Sequence, residues 1–211
     1  MHRPPVWLKP ATHAFIAMPL LWLAWCWAEL LWLNPASQSL SAEPVAYTHN
    51  NLGLLALRFL ILALAITPIR KLTGWVPVMS LRRAVGLWAF AYAAIHLAFY
   101  LALELDFSLS ALAREALKRN FILFGLLAFV CLLPLALTST RAAMKRLGGR
   151  RWQLLHRLAY VAGIAASVHF ILRVKGFQLE PYAYLAILLA LFAIRLMPNR
   201  RRASPAQVLP A

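Results

Sequence analysis

The chain is expected to be an all-α membrane protein, a bundle of six transmembrane helices. Three observations lead there. Of 211 residues, 63% are hydrophobic and only 13% charged, about half the charged share of a soluble domain. The remaining charge is lopsided, with 22 Lys and Arg against 6 Asp and Glu and a formal net charge of +16. The apolar residues fall in six runs, near 11–33, 50–69, 84–103, 120–138, 152–172 and 181–197, each close to the roughly 20 residues that cross a bilayer.

The first run follows a short basic segment but is too long for a signal-peptide core and has no small-residue cleavage pattern, so it is expected to stay in place. Its Trp22, Trp25, Trp27 and Trp32 read as lipid or interface contacts. Orientation follows from Lys and Arg. Arg3 and Lys9 precede span one, Arg70, Lys71, Arg82 and Arg83 lie between spans two and three, Arg141, Lys145, Arg146, Arg150 and Arg151 between spans four and five, and Arg200, Arg201 and Arg202 in the tail. These alternate connections belong on the cytoplasmic side, which puts both termini there. Because the basic clusters lie at span ends, the positive charge is read as membrane topology and not as a nucleic-acid surface. Residues 1–197 form one domain; 198–211, basic and then rich in Pro and Ala, read as a disordered tail.

Three histidines interrupt apolar stretches: His96 in AAIHLAFY, His156 in WQLLHRLAY and His169 in SVHFILR. Ionisable side chains inside a membrane are costly and mark function. His96, about twelve residues into the outward-running third span, shares its depth with His169, near the outer end of the fifth. The two are expected to supply the axial ligands of one heme. His156 lies thirteen residues before His169, about 20 Å along a helix, too far to share a metal that sits about 2 Å from each imidazole nitrogen. It therefore belongs to a second site, although thirteen helical steps set it roughly 140° from His169 around the axis unless the helix is deformed near Gly163. His13 and His49, at span ends, read as solvated residues. Cys26 and Cys131 fall within spans as small buried apolar residues. With no C-x-x-C-H sequence, any heme is non-covalent, hence b-type, and no glycine loop or dinucleotide fingerprint is present.

The run SLRRAVGLWAFAYAAIHLAFYLALEL, the segment LTSTR at 137–141 and WQLLHRLAYVAGIAASVHF resemble the MsrQ (YedZ) family, heme-binding membrane subunits of the bacterial periplasmic protein-methionine-sulfoxide reductase system. The resemblance runs from WLK at 7–9 to about residue 197. It implies a ferric-reductase-like cytochrome b in the bacterial inner membrane, with heme ligands at His96, His156 and His169. It also implies electron flow to a periplasmic molybdopterin-containing methionine sulfoxide reductase, supplied by a cytoplasmic flavin reductase or the quinone pool, with flavin mononucleotide (FMN) as a further cofactor. In ordinary ferric reductases each of two helices carries a histidine pair; here the expected partner of His156 falls on Arg82 or Arg83. His13 is the best substitute. One or two hemes are therefore open. No catalytic residue is expected in this chain, the sulfoxide chemistry residing on the partner. A cytochrome b serving another acceptor, a transporter and a non-redox assembly subunit remain the alternatives.

Overall fold

The computed structural model describes residues 5–197, so the tail at 198–211 lies outside the described residues. Nine α-helices and no strand appear among them: α1 Leu8–Ala28, α2 Pro44–Thr73, α3 Arg82–Glu104, α4 Leu109–Lys118, α5 Asn120–Leu137, α6 Arg141–Leu147, α7 Gly149–Leu155, α8 Leu158–Arg173 and α9 Leu179–Leu196. Six stretches are long and apolar enough to cross a membrane: Leu8–Leu33, Pro44–Thr73, Val76–Glu104, Asn120–Leu137, Gly149–Arg173 and Leu179–Leu196. This is the expected six-span, all-helical architecture.

Local chemistry sets the helix ends. Pro44 opens α2, where its missing N–H costs nothing and its ring presets φ. Gly74 closes it at φ 74°, donating its N–H to the Arg70 carbonyl at 2.9 Å, a left-handed position that suits glycine. Arg70 and Lys71 occupy the last turn, where the helix dipole favours cations. Lys71 also reaches α9, donating to the carbonyls of Ile194, Arg195 and Met197.

The LTSTR segment is a hinge. Thr138 donates its hydroxyl to Pro134 O at 2.6 Å, ending α5, and accepts the Trp152 indole N–H on its carbonyl at 3.0 Å. Thr140 Oγ1 then caps α6 by accepting from Ala143 N at 3.1 Å, leaving one fewer unsatisfied amide at the helix start.

Two helix pairs dominate the packing, α2 against α3 and α5 against α8. The core runs between them through Leu60, Leu64, Val85, Ala89, Tyr92, Cys131 and Leu188, all buried. Cys26 and Cys131 are free and buried there. The Tyr92 hydroxyl, fully buried, donates to Ile16 O at 2.6 Å and ties α1 to α3. Trp22, Trp25 and Trp32 point outward with more than half their surface exposed, while Trp27 turns inward and donates to Thr48 Oγ1 at 2.9 Å.

The fifth span departs from the regular helix assumed from sequence. It breaks at His156 and Arg157, well before Gly163, into α7 and α8. Arg157 N bonds Leu154 O at 3.1 Å, Ala159 N bonds His156 O at 3.4 Å and Tyr160 N bonds Arg157 O at 2.9 Å, three i→i−3 contacts of a tighter turn. Each such residue advances about 120° in place of 100°. Three of them narrow the offset between His156 and His169 to roughly 80°.

Candidate functional site

His96 on α3 and His169 on α8 face each other with ring centroids 6.3 Å apart and planes crossed at 80°. Two imidazoles that each hold one metal at about 2 Å through a ring nitrogen have centroids about 6 Å apart. The separation is one at which a single metal could sit between the two rings. Two residues assigned to one depth from the sequence are thus neighbours in space.

Hydrogen bonds decide which nitrogen faces the gap. His96 Nδ1 lies 3.0 Å from His49 O and His169 Nδ1 lies 2.6 Å from Phe121 O. A carbonyl only accepts, so in both rings Nδ1 carries the proton and donates. The Nε2 lone pair is left for a metal, and the outer carbonyl fixes tautomer and ring orientation.

Both rings line a cavity of about 740 Å³ between the α2–α3 and α5–α8 pairs, within the roughly 300–1,000 Å³ of cofactor pockets. Apolar side chains such as Leu57, Leu60, Phe129 and Leu132 form its walls. Ala93 and Ala166, each one turn before one of these histidines, keep the wall beside the rings shallow. Toward the end of α8 the lining becomes polar, with Arg173, Lys175, Asn50 and Gln178. A flat apolar group with anionic edges would fit that distribution: His96 and His169 would hold its metal, the aliphatic side chains would cover its faces, and Arg173 and Lys175 would receive its carboxylates.

The structure does not bring the other candidates into this site. His156 stacks on Trp152 with centroids 3.8 Å apart, and its Nε2 lies 3.4 Å from Thr138 Oγ1. That hydroxyl has given its proton to Pro134 O, so it accepts and His156 Nε2–H donates. His13 is exposed on α1, and its Nδ1 accepts from Trp88 Nε1 at 2.8 Å. Because an indole only donates, the neutral His13 ring carries its proton on Nε2, the opposite of His96 and His169. Among the described residues no hydrogen bond or ring contact joins His13 to His156.

Sequence reasoning passed over three features. His49 stacks on His96 at 4.1 Å and 30° while its carbonyl holds the His96 ring; its place at a span end hid this. Gly53 lies against the His96 ring and Gly125 against the His169 ring. Arg58, inside the second apolar run, pairs with Glu180 at 3.4 Å and donates to Tyr184 Oη at 2.6 Å, an ionic partner that a charge within a span requires.

Residues 52–174 match the family described as ferric reductase like transmembrane component. Curated relatives named protein-methionine-sulfoxide reductase heme-binding subunit MsrQ are similar over most of the chain. That of Brucella anthropi is 41% identical over 204 residues, covering 96% of this chain and 88% of the relative. That of Azospira oryzae is 42% identical over 199 residues, covering 94% and 82%. That of Brucella ovis is 45% identical over 172 residues, covering 81% and 77%.

Proposed function

The chain belongs to the MsrQ family of ferric-reductase-like transmembrane proteins, and on that premise we propose that it is the b-type heme electron-transfer subunit of a protein-methionine-sulfoxide reductase system. Electrons enter from the cytoplasmic side, from a flavin reductase through FMN or from the quinone pool. They leave on the periplasmic side of the bacterial inner membrane to a molybdopterin-containing reductase that carries the sulfoxide chemistry. Both termini are cytoplasmic in this reading.

The observation that carries the proposal is the facing pair His96 and His169, each with Nδ1 bonded to a backbone carbonyl and ring centroids 6.3 Å apart. Heme b bound there supplies a one-electron ferric–ferrous couple whose potential depends on its ligands and their hydrogen bonds. His96 and His169 hold the iron, and the carbonyls of His49 and Phe121 strengthen them as donors. Arg173 and Lys175 receive the carboxylates. The aliphatic walls exclude water. No side chain here needs to act as nucleophile or general base, which is why the chain provides a relay and its partner the substrate pocket.

His156 and Trp152 stand at the other end of the same span and mark the inner part of the route, where a second heme, a flavin or a quinone bridges to the donor. A second heme there would be held by His156 and would need another ligand, for which His13 is the best substitute once its bond to Trp88 opens.

Heme quantification in the purified wild type and in His96→Ala, His169→Ala, His156→Ala and His13→Ala tests this. The expected result is near-complete heme loss in the first two variants. Loss of half the heme in His156→Ala establishes an inner heme, and retention in His13→Ala removes His13 as its ligand. Wild-type heme content in both His96→Ala and His169→Ala sinks the proposal.

A further inference from the structure

The two ligand histidines are held by the same device twice. The His96 ring rests on Gly53 of α2, where an added Cβ would lie 2.9 Å from Cε1 and 3.1 Å from Nδ1. The His169 ring rests on Gly125 of α5, where a Cβ would lie 2.7 Å from Nδ1 and 3.0 Å from Cε1. The carbonyl each ring bonds belongs to the residue four before the glycine: His49 before Gly53, and Phe121 before Gly125. In a helix that carbonyl also receives the glycine's own N–H, so the imidazole reaches a carbonyl already inside the helix, along the line a side chain at the glycine position would occupy. From Gly53 to His96 is 43 residues and from Gly125 to His169 is 44, so the α2–α3 and α5–α8 pairs repeat the construction almost in register.

We propose that Gly53 and Gly125 are positioning residues for the iron-binding imidazoles, their bare backbone letting His96 and His169 donate Nδ1–H to the carbonyls of His49 and Phe121. The inference rests on the reading of His96 and His169 as heme ligands. The steric argument separates these glycines from a packing role. Contacts under 3.0 Å force a shift, and here the atoms that must move are the ring tips of the ligands themselves. The backbone stays in place while the ring swings, so the hydrogen bond is what is lost. Gly163, by comparison, meets only the methyls of Leu188 and Leu64 at 3.2–3.3 Å, and Gly86 meets nothing within 4 Å.

The test compares Gly53→Ala, Gly125→Ala, Gly163→Ala and Gly86→Ala by hemin titration, absorption spectrum and equilibrium redox titration. Loss of an outer-shell partner to a metal ligand costs 10–100-fold in affinity. Weakened Nδ1–H donation makes a poorer ligand for ferric iron, so Gly53→Ala and Gly125→Ala are expected to bind hemin about 10-fold or more weakly. Ferric preference falls in the same direction, raising the midpoint potential by about 59 mV for each tenfold change. Gly125→Ala, whose Cβ would fall on the donor nitrogen, shows the larger change. Gly163→Ala and Gly86→Ala keep wild-type potential and spectrum. Wild-type affinity and potential in Gly53→Ala and Gly125→Ala overturn the inference while His96→Ala and His169→Ala still lose heme; if those two histidine variants keep heme, the ligand reading itself has failed. Should a glycine variant not accumulate, exchange of the axial Nδ1 protons in D2O, followed by electron–nuclear double resonance on the ferric wild type, decides. Slow exchange supports the held bond, and exchange within the mixing time overturns it.

Discussion

Ala166→Leu should push the stability of the heme-free chain and its affinity for heme in opposite directions. Ala166 lines the cavity one turn before His169, and on a helix a residue three positions away lies on the same face. Leucine adds three carbons, roughly 75 Å³, to a space of about 740 Å³. At about 24 cal/mol per Å³ of cavity removed, the empty site gains about 2 kcal/mol. With heme bound, the same carbons overpack, at a cost of about 1–3 kcal/mol. The two effects together weaken hemin binding by about 3–5 kcal/mol, a factor on the order of 10²–10⁴. The assay pairs hemin titration with thermal unfolding of the heme-free protein in detergent. A higher midpoint without heme and weaker hemin binding are expected together. Undiminished heme affinity with an unchanged Soret band would refute the assignment of this cavity to the porphyrin, since neither ligand has been touched.

Three further outcomes follow from the same geometry. If Arg173 receives a heme carboxylate as proposed, Arg173→Gln removes a charge-assisted hydrogen bond worth about 1.5–3 kcal/mol, so hemin affinity should fall on the order of 10–100-fold while the low-spin spectrum expected of two imidazole ligands persists; a changed spectrum would show that Arg173 acts on the iron instead. Ser108→Ala deletes the cap of α4, where Ser108 Oγ accepts from Ala111 N at 3.2 Å, at about 1 kcal/mol. Because α4 lays Leu112 against the cavity, heme transfer to excess apomyoglobin should speed up about fivefold. Tyr92→Phe removes the buried bond to Ile16 O and lowers thermal stability by about 1–2 kcal/mol, with heme content per folded protein unchanged.

The six spans were legible because bilayer thickness imposes a length and composition that no tertiary context alters. The proximity of His96 and His169 was legible for a related reason: depth is countable from the ends of apolar runs, and two imidazoles at one depth on neighbouring helices have little room to avoid each other. What failed to show were interactions made by absence or by backbone. Gly53 and Gly125 offer no side chain to read, and their meaning appears only once the ring above each is placed. His49 contributes its carbonyl, which every residue possesses. The break at His156 follows no proline or glycine in the sequence. It coincides with tight anchoring from outside, by Trp152 on Thr138 O and His156 on Thr138 Oγ1, a tertiary cause. Arg58 was hidden by its apolar neighbours and is accommodated by Glu180 and Tyr184 from α9.

The spacing shared by the two helix pairs at His96 and His169 also sets His156 apart. His96 and His169 are 73 residues apart; the same step back from His156 lands on Arg83, a side chain that cannot ligate iron. The two helix pairs thus agree at the end that carries His96 and His169 and differ at the end that carries His156. The protonation pattern diverges in step: both outer rings donate from Nδ1 and present Nε2, whereas His156 donates from Nε2 toward Thr138. An imidazole whose Nε2 is engaged must turn, or bind through Nδ1, before it can hold a metal. A two-heme relay therefore requires rearrangement at one end only. The alternative within the proposed function is a single heme at His96 and His169, reduced by a flavin or quinone on the His156 side. Heme stoichiometry separates these routes, because the first demands two irons per chain and the second one.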